Sequence, residues 1–149
     1  MSPGRLTSAL VRSLDWIADR TLHSDQRPTH QRIGQRGEED AYFYLRRLGY
    51  VMVARNFRSP HHHGEIDLIG WDKDVLCFVE VKTRTTLDIK PAEAAVDHDK
   101  QRALIAVSRD YLRHMAHPCQ WRFDVLSVYY DSHFSQPRFE LFQSAFPVR

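Results

Sequence analysis

The sequence predicts a mixed α/β fold, a three-layer α/β/α sandwich around a central sheet of about five strands. Three observations carry this expectation. Apolar spacing runs in the order helix, three strands, helix, two strands. The polar joint Asp72-Lys73-Asp74 is short enough to tie the second and third strands into a hairpin. Those two strands carry apolar residues on both parities, so both faces of the sheet need cover.

A chain of 149 residues suits one domain or a domain with a tail, and its 42% apolar and 27% charged residues exclude a disordered or collagen-like protein. Leu6, Leu10, Leu14 and Ile17 share a stripe, which predicts an amphipathic helix over 6–22. The polar stretch Ser24–Arg32 contains Pro28 and reads as a linker. Residues 1–32 are therefore an N-terminal extension, and residues 33–149 the α/β domain. The core is expected to fold without the extension. A helix follows from Gly34 to Leu48, with Glu38, Ala41, Leu45 and Leu48 on its stripe and Gly49 as its stop. Tyr50–Phe57, Glu65–Trp71 and Val75–Val81 read as strands. Thr83–Glu93 has mixed polarity and reads as a loop. Ala94–His114 is the next helix, carrying Val96, Lys100, Ala103, Leu104, Val107 and Tyr111 at helical spacing. Trp121–Tyr130 and Arg138–Phe142 complete the sheet.

No uncharged apolar run approaches the roughly 18 residues of a membrane span, and residues 1–20 lack the continuous apolar stretch of a signal peptide. Cys77 and Cys119 lie far apart, Cys77 inside an apolar run, as in a reduced cytoplasmic protein rather than a disulfide scaffold. The net charge of +2 predicts no partner by itself. Of 21 basic residues only Lys73, Lys82, Lys90 and Lys100 are lysines, and the planar fork of arginine suits phosphate.

The chemistry concentrates in the central strands. Glu80 and Lys82 share a face with Leu76 and Phe78, and so interrupt an otherwise apolar face of the strand that reads as most buried. Glu65 and Asp67 are expected on one face of the preceding strand, and the hairpin brings Asp67 beside Glu80 and Lys82. Burying such charges costs several kcal/mol per ion unless each is paired or metal-bound. Two carboxylates and a lysine suit metal-dependent phosphodiester cleavage, with the acids on a hard cation such as Mg2+ and the lysine at the attacking water. A structural ion pair that closes a strand end accounts for the same pattern. Glu38 lies on the apolar stripe of its helix and should point toward the sheet, although acids also favour a first turn through the helix dipole. Lys100 repeats the oddity on the other helix, where it can also snorkel to the surface. His61, His62 and His63 cannot all face one ion and read as a solvated loop; Arg122 and Asp124 read as an internal ion pair.

These residues stand in one order with a longer pattern: Gly34-x-x-Gly37-Glu38-x-x-Ala41, Leu45, Gly49-Tyr50, Asn56-x-Arg58, Gly64-Glu65-Ile66-Asp67-Leu68-Ile69, Phe78-Val79-Glu80-Val81-Lys82-Thr83-Arg84, Lys100 and Arg122-Phe123-Asp124-Val125. The set resembles the YraN-like family of small bacterial proteins related to Holliday-junction resolvases, in the PD-(D/E)XK, restriction-endonuclease-like superfamily. It covers Ile33 to Tyr130. The resemblance implies a nuclease-like domain in which Asp67 is the first acid, Glu80 and Lys82 the E-x-K pair, and Glu38 the helical acid of resolvase-like branches. Ile66 stands where the superfamily pattern often has proline; residues 1–32 and His61–His63 lie outside the pattern.

The expected function is therefore a Mg2+-dependent nuclease on DNA, with Mn2+ as a substitute. Glu38, Asp67 and Glu80 are the expected metal ligands, Lys82 works on water, and Arg58, Arg84 and Lys100 contact phosphates. A homodimer follows by analogy with resolvases, and a catalytically silent nucleic-acid-binding module of the same fold is the alternative.

Overall fold

The computed structural model describes residues 28–85 and 96–148. Its elements are α1 (Thr29–Arg47), β1 (Val51–Arg58), β2 (Glu65–Asp72), β3 (Val75–Thr85), α2 (His98–Arg113), β4 (Gln120–Tyr130) and β5 (Arg138–Phe142). The helix expected over residues 6–22 lies outside the described residues.

The five strands form one sheet in the order β1-β2-β3-β4-β5. All neighbours are antiparallel except β3 and β4. A parallel pair cannot be closed by a tight turn, and α2 lies in the crossover between these two. The expected hairpin forms: Asp72 pairs with Val75, and Lys73 takes a positive φ of 53° at the corner.

Both faces of the sheet are covered, as the doubled apolar parity of β2 and β3 requires. On one face Leu68, Cys77, Val79, Val81, Leu126 and Val128 pack with Ala41 and Leu45 of α1. On the other, Ile66, Ile69, Leu76, Phe78, Phe123 and Val125 pack with Leu104 and Val107 of α2. Each fully buried side chain of this size contributes about 1.5–3 kcal/mol, so two such layers dominate the fold. The result is the expected three-layer α/β/α sandwich.

The boundaries differ from expectation where backbone chemistry outweighs side-chain spacing. α1 begins at Thr29, five residues earlier than the apolar stripe indicates, because the Pro28 carbonyl accepts from Gln31 N (2.9 Å) and Arg32 N (3.2 Å). The end of the polar linker is thus the helix's first turn. At the other end Gly49, at φ 94°, stops the helix as predicted; Tyr50 N donates to Leu45 O and Gly49 N to Arg46 O. That turn carries Leu48 off the stripe and leaves it 51% exposed. The largest correction is in β3. Thr83, Arg84 and Thr85, expected in a loop, continue the strand because β4 supplies partners in Val128, Tyr129 and Tyr130. α2 starts at His98 rather than Ala94, where the Asp97 side chain accepts from Lys100 N and fixes the first turn.

Cys77 and Cys119 are free thiols. Among the described residues no helix is long and apolar enough to cross a membrane.

Candidate functional site

The site begins where two strands part. β2 pairs with β3 from Asp72–Val75 to Leu68–Val79. Beyond that rung β2 continues with β1 alone, through Ile66–Phe57 and Glu65–Arg58, while β3 continues with β4 to Thr85–Tyr130. Asp67 fills the gap: its Oδ2 accepts from Val81 N at 2.7 Å. Ile66 packs on the α2 side and Leu68 on the α1 side, although they are two residues apart. Strict alternation is therefore broken at Asp67, and the expectation that Glu65 and Asp67 share a regular strand face does not hold. The neighbouring strand is irregular at the same level. Asn56, opposite Asp67 in β1, has a left-handed φ of 50°, a conformation that asparagine tolerates better than most residues.

Glu80 occupies the α2-facing side of β3 and is only 4% exposed. Its Oε1 accepts from Lys82 Nζ at 2.7 Å and from Lys100 Nζ, which descends from the first turn of α2. Its Oε2 is buried with no hydrogen-bond partner. Lys100, expected at phosphate or at the surface, is thus engaged by Glu80. Glu38 is half-buried and reaches the same neighbourhood from α1. Asn56 Nδ2 donates to Glu38 Oε2 and to Glu65 Oε1, both at 2.9 Å, and Arg58 Nε donates to Glu65 Oε2. Arg58 is largely exposed at this rim.

Burial, joined by the charge of Glu80, pushes the Asp67 carboxyl up to about 8. Glu38 adds to the shift, and the Val81 N–H and Lys100 oppose it. Burial works to lower the Lys100 ammonium, but the hydrogen bond and charge of Glu80 outweigh it and the net shift is upward. Asp67, Glu80, Glu38 and Lys100 therefore share one field. Among the described residues, however, no three His, Cys, Asp or Glu side chains form a group that could hold a metal ion. The expected ligands are brought into one neighbourhood without closing into a ligand set.

Residues 37–128, which hold every one of these side chains, match the family model described as Uncharacterised protein family UPF0102. The chain belongs to that family. A UPF0102 protein of Koribacter versatilis is 50% identical over 140 residues, covering 94% of each chain. One from Solibacter usitatus is 42% identical over 132 residues, 87% of this chain and 94% of its own. One from Herminiimonas arsenicoxydans is 39% identical over 102 residues, 68% of this chain and 81% of its own.

Other residues of this UPF0102 chain fall around the cluster. Arg84, expected at phosphate, projects from β3 but is only 9% exposed. The loop His61–His63 is tied down rather than free. Ser59 Oγ accepts from His61 N and His62 N and donates to Asp110 Oδ2 of α2 at 2.6 Å. The Ser59 hydrogen bond holds the buried Asp110 carboxyl below its usual range. Toward the β2–β3 turn, Arg122 Nε donates to both oxygens of Asp124 and Nη2 to Asp72, forming the expected internal pair and extending it.

Sequence reading gave no role to Asn56, Glu65, Ser59 or Asp110. Asn56 had a signal, an asparagine interrupting a strand pattern. Asp110 had a weaker one, an acid beside the apolar stripe of α2. The pairing of Ser59 with Asp110 spans 51 positions and left none.

Proposed function

We propose that this protein is a Mg2+-dependent nuclease that hydrolyses phosphodiester bonds in DNA, with branched or junction DNA as its substrate class. The Glu80 carboxylate carries the reading. It is buried, held at Oε1 by two lysines, unpartnered at Oε2, and set beside an Asp67 whose charged form burial disfavours. A hard cation is the partner that such oxygens suit. Glu38, Asp67 and Glu80 would hold Mg2+, or Mn2+ in its place; the all-oxygen donor set and the orphaned Oε2 fit the ion. When bound, the ion stabilises charge on the phosphate and acidifies water.

The chain's own residues do the rest. Val81 N–H keeps Asp67 aimed into the gap between the strands. Lys82, its ammonium on Glu80 Oε1, is a donor for the attacking water or for a phosphate oxygen. Lys100 holds the same oxygen from α2 and fixes the Glu80 rotamer. Arg58 at the rim offers a backbone contact that positions DNA without reading sequence. A homodimer belongs to the same reading, since a junction is cut on two strands.

A second reading, a nucleic-acid-binding module that turns nothing over, draws on two observations. Lys82 and Lys100 already neutralise Glu80, and among the described residues no three ligand side chains converge. One experiment separates the two readings: linear, flap and four-way-junction DNA incubated with Mn2+ and wild type or Lys82→Ala. Cleavage by wild type that Lys82→Ala loses supports the nuclease. Binding to the same DNAs with no cleavage by either protein leaves the silent module.

A further inference from the structure

Among the described residues, four buried side-chain polar atoms meet no hydrogen-bond partner: Glu80 Oε2, Arg84 Nε, Arg84 Nη2 and Ser127 Oγ. All four belong to one face of two neighbouring strands. The parallel register sets Glu80 beside Val125, Lys82 beside Ser127 and Arg84 beside Tyr129. Side chains alternate along each strand and register partners face the same way. Phe78, Phe123 and Val125 place that face on the α2 side. The alternate residues Val79, Val81, Leu126 and Val128 fill the opposite core. Glu80, Lys82, Arg84 and Ser127 therefore project together.

Buried polar groups are almost always paired, so a concentration of unpaired ones on a single face calls for a partner of matching chemistry. The atoms say which chemistry. Nε and Nη2 form the edge of a guanidinium that offers two parallel N–H groups, the geometry that grips two oxygens of one oxyanion. The Ser127 hydroxyl adds a donor from the next strand. Lys82 Nζ bonds Glu80 with one of three protons and keeps two for other acceptors. Donors from two strands, flanked by the cluster's carboxylates, fit a phosphate that lies next to a cation.

We propose that Arg84 and Ser127, with Lys82 between them and the carboxylates, form a phosphate subsite. It would hold the nucleotide adjoining the bond placed at Asp67 and Glu80. Lys82 and Arg84 lie two residues apart, about 6.6 Å along the strand, comparable to the step between consecutive phosphates of a nucleic-acid strand. The assignment of the polyanion rests on the nuclease reading; the anion subsite itself rests on the three donor atoms, Arg84 Nε, Arg84 Nη2 and Ser127 Oγ.

The test keeps metal out by adding EDTA, so that binding is read without cleavage. Melting temperature is measured with inorganic phosphate and with chloride at matched ionic strength, and fluorescence anisotropy is measured with a labelled oligonucleotide. Both use the full chain as wild type, Arg84→Lys and Ser127→Ala. Arg84→Lys keeps the charge and loses the fork. Ser127→Ala removes a hydroxyl with no partner among the described residues and so should leave the fold intact.

Phosphate should raise the wild-type melting temperature beyond chloride. Arg84→Lys should abolish that rise, Ser127→Ala should reduce it, and Arg84→Lys should weaken oligonucleotide binding about tenfold. Equal effects of phosphate and chloride on wild type, or variants that bind the oligonucleotide as wild type does, would overturn the subsite. Protection by free phosphate without oligonucleotide binding would overturn its assignment to a strand. A wild type that cleaves DNA but gains nothing from phosphate sinks the subsite alone. One that never cleaves, yet shows protection dependent on Arg84 and Ser127, keeps the subsite and loses the nuclease.

Discussion

Replacing Gly37 by alanine sets two known magnitudes against each other. In an exposed helix the change would stabilise α1 by about 1 kcal/mol. Here the added Cβ would stand 1.9 Å from Thr83 Oγ1, 3.0 Å from Thr83 Cβ and 3.2 Å from Thr83 Cγ2. Turning the Thr83 side chain relieves the first contact but not the second, because Cβ is fixed to the backbone of β3. α1 must move away from the sheet. Overpacking of this kind costs roughly 1–3 kcal/mol, and its upper range applies to so close an approach. The net expectation is a loss of about 1–2 kcal/mol, or roughly 4–8 °C in melting temperature for a domain of this size. Thr83→Ala removes Oγ1 and Cγ2 and should restore part of the loss, giving a favourable coupling in a double-mutant cycle. The assay is thermal unfolding of the four proteins by circular dichroism. A Mg2+ titration of the same samples follows the adjacent Glu38, which moves with α1. A Gly37→Ala protein that melts at or above wild type would refute the close approach of α1 to β3, and with it the placement of Glu38.

Lys82→Ala should remain folded, because Lys100 holds the same Glu80 oxygen. Removing both lysines should destabilise the metal-free protein by less than the roughly 3–5 kcal/mol of a fully buried pair, since the Lys100 side chain is 40% exposed. Mg2+ should restore part of that loss; melting curves that ignore Mg2+ would count against the ion. Asp110→Asn tests the anchor of the histidine loop. The folded Asp110 is held low, so its contribution is present above the ordinary carboxyl range and disappears as pH falls through the folded value. The variant should be less stable than wild type near neutrality and equal to it in strong acid, and parallel wild-type and variant stability curves from acid to neutral pH would exclude this. Asn56→Gly should keep the left-handed backbone while releasing Glu38, and Asn56→Ala should be the less stable by about 1–2 kcal/mol. Equal melting temperatures for the two would show that the backbone at Asn56 is not left-handed.

The sheet and its covering helices were legible because burial on two faces writes itself into β2 and β3 as apolar residues on both parities. Glu80 and Lys82 were legible for the converse reason: charges at buried positions have no bland place to go. The extension of β3 through Thr85 was hidden, since Thr83, Arg84 and Thr85 are polar and only β4, some 45 positions later, makes them a strand. The engagement of Lys100 by Glu80 was hidden in the same way, because spacing places a lysine on a helical stripe but cannot say what the opposite strand offers it. The break at Asp67 coincides with a left-handed backbone at Asn56 in the neighbouring strand, and a period of two carries no sign of either.

That break has a consequence for how the layers communicate. A five-stranded sheet ordinarily acts as a partition: each rung is sealed by backbone hydrogen bonds, and the helices on either side sense each other only through packing. At Asp67 one rung is sealed by a carboxylate instead, and a carboxylate carries a titratable charge. Glu38 from the α1 layer and Lys100 from the α2 layer both act on it. The partition has an electrical opening at this one point, so a charge arriving there is felt by both outer layers at once, and a displacement of either helix alters the field that the arriving charge meets.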